Sequence, residues 1–158
     1  MTYNMNKPTT FQREDNPTTQ AISTTYVEPV KSRVHVGFSG STAKIYYKYS
    51  CYAYQTGTIP LFLHVKLQKS NDNFSSDIED VDGCNFNFSG DTGEYPANTF
   101  YSAFNAMFVI ENLDKRYLRL MIRSFNSSMT ANLHRSTQWD GQTNADVYYN
   151  PSCIAMEV

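Results

Sequence analysis

The sequence predicts an all-β protein, an antiparallel β-sandwich of about eight strands carried behind an extended N-terminal arm. Three observations lead there. The chain is rich in aromatics, with 12 Tyr and 10 Phe among its 158 residues, and these stand among many Thr, Ser and Asn, a mixture that favours strands and turns. Apolar residues alternate with polar ones from about residue 33 to the end, and no stretch sustains the 3.6-residue period of an amphipathic helix. Turn clusters of Gly, Asn, Asp and Ser interrupt the alternation at short intervals, as in sandwiches and barrels.

Residues 1–30 carry three prolines, many Thr and few large aliphatics, with neither period, so they read as an extended arm. Its sporadic apolar residues, Tyr3, Phe11, Ile22, Tyr26 and Val27, suit a segment laid along another surface. Residues 31–158 then form the sandwich. Arg33 to Phe38 reads as a short strand closed by Ser39-Gly40-Ser41. In Ala43 to Tyr54 the residues Ile45, Tyr47, Tyr49, Cys51 and Ala53 share one face, which is the expected core face. Ile59 to Lys69 alternates Leu61, Leu63, Val65 and Leu67 against His64, Lys66 and Gln68, with Pro60 confined to its start or to an edge because it lacks an N–H.

Ser70 to Gly83 is polar and acidic and reads as a loop, after which Cys84, Phe86 and Phe88 alternate with Asn85 and Asn87. Phe100 to Glu111 places Phe104, Ala106, Phe108 and Ile110 on one face, with a short helix left open near Tyr101 to Asn105. Arg116 to Asn126 places Leu118, Leu120 and Ile122 together. Met129 to Arg135, Ala145 to Tyr149 and Cys153 to Val158 complete the set. The apolar closing run Cys153-Ile154-Ala155-Met156 belongs inside a sheet, since a frayed tail is polar. A two-sheet jelly roll accommodates that position better than an open meander.

The same residues bear on function. A net charge of -2 with scattered basic residues supplies no positive field for nucleic acid or an anionic membrane, and no apolar run approaches the length of a membrane span or a secretory leader. A soluble protein made in a cytoplasm is expected. Cys51, Cys84 and Cys153 are odd in number and widely separated, a spacing that fits buried free thiols rather than a disulfide frame or a zinc site. In Asp77-Ile78-Glu79-Asp80-Val81-Asp82-Gly83, setting Gly83 at the turn position of a calcium loop puts Ile78 at the first ligand and Ser89 at the closing one; a solvated loop with an Asp-Gly turn is expected instead. No nucleophile elbow or phosphate loop occurs, so no enzyme, metal or cofactor is expected. Tyr46, Tyr52 and Tyr54 on the polar side of their strand, with Trp139 in a loop, could present a recognition or interface surface.

A polar arm, an eight-stranded all-β body, a short apolar closing strand and the lack of a catalytic motif together resemble the single jelly-roll structural proteins of viruses and bacteriophages, among them minor capsid, decoration, penton and head-fibre proteins. The resemblance is one of layout and spans the whole chain. It implies residence in the virion after synthesis in the host cytoplasm, an arm that anchors the subunit to capsid proteins, and a cyclic oligomer of three or five copies. The chain departs from genome-packaging coats in its arm, where Lys7 and Arg13 are balanced by Glu14 and Asp15. The alternative expectation is a glycan- or receptor-binding module of the lectin or C1q/tumour-necrosis-factor-like kind. A cupin-like enzyme would need His35, His64 and His134 gathered in one barrel.

Overall fold

The computed structural model describes residues 9–15, 18–56, 61–89, 99–125, 130–134 and 150–158. Among them are ten strands and no helix: β1 (Thr9–Arg13), β2 (Gln20–Ile22), β3 (Val34–His35), β4 (Ala43–Thr56), β5 (Phe62–Ser70), β6 (Glu79–Ser89), β7 (Thr99–Leu113), β8 (Tyr117–Ser124), β9 (Thr130–Leu133) and β10 (Ser152–Glu157). All pairings are antiparallel, and the strands form two packed sheets, a β-sandwich.

One sheet is built around β4. Strand β7 pairs with it from Ala43 to Thr56, which occupies one whole edge of β4. The other edge is shared end to end, by β10 along Ile45–Ser50 and by β9 along Ala53–Thr56. Outside these lie β1 on β10 and β2 on β9. The second sheet has the order β3-β8-β5-β6. Successive strands switch sheets at β1 and β2 to β3, β3 to β4, β4 to β5, β6 to β7, β7 to β8 and β8 to β9.

Alternation explains the core. Ile45, Tyr47, Tyr49, Cys51 and Ala53 of β4 are fully buried, and they face Leu63, Val65 and Leu67 of β5 and Leu118, Leu120 and Ile122 of β8. Each such Leu or Ile contributes about 1.5–3 kcal/mol by leaving water. The two core tyrosines satisfy their hydroxyls on the stretch before β3: Tyr47 Oη donates to Ser32 O at 2.6 Å and Tyr49 Oη to Val30 O at 2.9 Å. Cys51, Cys84 and Cys153 are buried free thiols in β4, β6 and β10, and burial pushes the Cys153 thiol up to about 12.

Two local expectations are corrected. Residues 101–105, where a short helix was left open, continue β7. The acidic run is not a solvated loop: β6 begins at Glu79, and Gly83, at φ +72°, sits in a bulge where Val81 to Cys84 stand opposite Leu67 alone. That backbone conformation favours Gly because it has no Cβ to clash. Strands β1 and β2 lie within the stretch read as an arm. Ile59, Pro60 and Ala145 to Tyr149 lie outside the described residues.

Candidate association surface

The two outer faces of the sandwich differ in chemistry. On the β3-β8-β5-β6 sheet the outward side chains form a chain of ion pairs and hydrogen bonds. Glu28 accepts from Arg33 and Arg119, Arg119 donates to Gln68 Oε1 at 3.0 Å, Gln68 donates to Asp80 at 2.8 Å, and Lys66 donates to the same carboxylate at 2.9 Å. The Arg33 and Arg119 guanidiniums both approach the Phe74 ring, with their centres 5.2 and 4.2 Å from its centroid. The acidic run is neutralised nearby. Lys115, only 8% exposed, bonds both Asp77 and Glu79, and Lys69 bonds Asp114. Most of the charges on this face are thus engaged with one another.

The outer face of the β4 sheet is apolar at its centre. Because residues opposite each other in a ladder share a face, the registers place Thr9, Met156, Tyr46 and Val109 in one row across β1, β10, β4 and β7, and Phe11, Ile154, Lys48 and Met107 in the next. Phe11, Met107 and Val109 are 62%, 58% and 53% exposed, and Tyr46, Ile154 and Met156 are half-buried beside them. Lys48 is the only charge in these rows. Isolated apolar residues on a surface are ordinary, but a contiguous apolar patch marks a place where something docks.

The sequence-selected residues fall partly in this surface. Phe11 and Tyr46 are in the rows, and Tyr52 and Tyr54 follow on the same face of β4, half-buried. Ile22 is only 4% exposed and belongs to this chain's own core. Val27 bridges Ile122 through two backbone hydrogen bonds of 2.8 and 2.9 Å. Tyr26 bonds the His64 ring and is flanked by Lys66 and Arg123 on the polar sheet. Tyr3 and Trp139 lie outside the described residues. Sequence reasoning missed Met107, Val109, Ile154 and Met156, since alternation assigns each to a polar side without saying which apolar residues on neighbouring strands line up.

The histidines stand in three different surroundings. His35 packs edge-on to Tyr117, His64 takes the Tyr26 hydroxyl, and His134 is buried with its ring 3.3 Å from Gln20 Oε1. Burial lowers the His134 imidazole to about 4; burial, with Arg123 and Lys66 nearby, also lowers that of His64. Among the described residues no three His, Cys, Asp or Glu side chains gather as a metal site. Where β6 and β7 diverge, a cleft of about 680 Å³ opens between the sheets, lined by Val81, Asp82, Cys84, Ile110 and Leu113. No protein-family pattern matches the sequence, and no characterised protein is significantly similar to it.

Proposed function

We propose that this chain is a non-enzymatic structural subunit of a virus or bacteriophage particle, of the decoration, minor capsid or head-fibre kind, whose sandwich associates with copies of itself. The observation that carries the self-association is the pair of apolar rows on one outer face, set against an opposite face whose charges are largely paired. Covering Phe11, Met107 and Val109 would remove their apolar surface from water at about 25 cal/mol per Å².

The jelly-roll reading draws support from strand order. The runs β1-β10-β4-β7 and β3-β8-β5-β6, with most connections crossing between sheets, are what two interleaved Greek keys require. Capsid docking would fall to residues before Thr9, because Thr9–Arg13 and Gln20–Ile22 are bonded to β10 and β9. Deleting residues 1–30 would therefore strip two strands from the sheet rather than remove an anchor alone.

The test compares the full chain, a chain lacking residues 1–8, and the double variant Phe11→Lys with Met156→Lys, by light scattering on a sizing column and by binding to purified particles. The expected result is a closed oligomer for the first two, particle binding by the first only, and a loss of mass in the third. A monomeric full chain that binds no particle would overturn the reading and turn attention to glycans and receptors.

A further inference from the structure

Sheet edges expose unpaired N–H and C=O groups, and proteins protect them by keeping the strand short, by a bulge, by charge or by proline. Among the described residues five strands lie at sheet edges, and four of them are protected. Strands β2 and β3 have three and two residues, β1 carries Arg13 beside Glu14 and Asp15, and β6 carries the Gly83 bulge and its acids. Strand β7 has none of these devices. It runs for 15 residues, and from Thr99 to Ile110 it contains no charge, no proline and no glycine.

The groups left open can be identified. Tyr52 O accepts from His134 N, and Lys44 O accepts from Val158 N, so the even-numbered residues of β4 turn their backbone groups away from β7. Their partners in the ladder, Ala103, Asn105, Met107 and Val109, turn theirs away from β4 in the same measure. Among the described residues no backbone group pairs with that side of β7.

We infer that the free edge of β7 pairs antiparallel with β7 of a second copy of this chain, joining two β4 sheets into one across a two-fold axis. The inference rests on the reading that copies associate, and it adds an edge contact to the one across the apolar outer face. Antiparallel self-pairing is the arrangement in which one edge complements itself. The charge pattern permits it. Glu111 is the only ionised residue of β7, and with Asn105 set opposite the other copy's Met107 it meets no like charge. In that register the two Glu111 residues at the cleft ends are about ten residues, or roughly 33 Å, apart along the strands, several times the Debye length of about 8 Å. The exposed Met107 and Val109 of both copies then lie beside the seam.

The experiment is amide hydrogen exchange on the full wild-type chain over a range of concentrations, with light scattering on Ala103→Pro and on the Phe11→Lys, Met156→Lys variant. Proline at Ala103 removes an outward N–H and leaves the ladder to β4 intact. The expected result is that the amides of Ala103, Asn105, Met107 and Val109 exchange at least about tenfold more slowly when concentrated than when dilute, and that Ala103→Pro lowers the mass by a factor of two. If those amides exchange rapidly at every concentration while a wild-type oligomer persists and is lost in the outer-face variant, the edge pairing falls and the assembly reading stands. Protection of the same four amides in a monomer would also overturn the inference, since a segment of the same chain would then cover the edge. The exchange arm needs no variant to fold.

Discussion

Tyr47 and Tyr49 have a dual role in the core: their rings fill it, and their hydroxyls hold the Val30–Ser32 stretch over it. Replacing Tyr47 with Phe leaves the Ser32 carbonyl without that donor, and the expected loss is about 1 kcal/mol in denaturant unfolding, with the fold unchanged by circular dichroism. His134 sets a pH dependence. Its folded pKa of about 4 lies below the ordinary imidazole value, so the unfolded chain binds the proton first and stability falls as pH drops from about 6.5 towards 4, by on the order of 3 kcal/mol. Below that range Asp72 adds a second loss. Its carboxylate accepts from the N–H groups of Ser75, Ser76 and Asp77 and the hydroxyls of Ser70 and Ser76, and these bonds hold its pKa well under the usual carboxylate range. A folded pKa that is depressed stabilises above the unfolded value and is lost as pH falls through it. His134→Asn, a residue that tolerates the positive φ of 64° there, should flatten the upper stage in unfolding midpoints measured between pH 7 and pH 4 and leave the lower one.

At the scale of strands, legibility followed burial. Strands β4, β5, β7 and β8 were readable because one face of each is fully buried, and their core residues appear where alternation put them. Strands β1 and β2 were not, because a short edge strand with one partner buries little and shows no period. The first half of β6 was hidden by its acids, which pair with Lys66, Lys69 and Lys115 while staying about half exposed; those partners lie far along the chain, and no local pattern announces them. The bulge supplies a test of its own. Gly83 has open space around its Cα, so Gly83→Ala acts through backbone strain alone, and the expected cost is about 1 kcal/mol in the unfolding midpoint with the β5–β6 register kept. The outer rows could not be seen in one dimension, since Phe11, Met107 and Val109 become neighbours only through β10 and β4.

For the molecule as a whole, the closing strand owes its central position to the opening one. Strand β10 is flanked by β4 on one side and by β1 on the other, so shortening the chain through Arg13 converts an interior strand into an edge. The expected outcome is a lower unfolding midpoint and faster aggregation, read by turbidity on heating. The pairing of Thr9 with Met156 also bears on time. Contacts between distant parts of a chain form slowly, because closing the loop between them costs entropy before any contact repays it. Thr9 is made well before Met156 and has no ladder partner until Met156 has followed it. Until β10 has been made, the Ile45–Ser50 stretch of β4 therefore has one edge without a ladder partner.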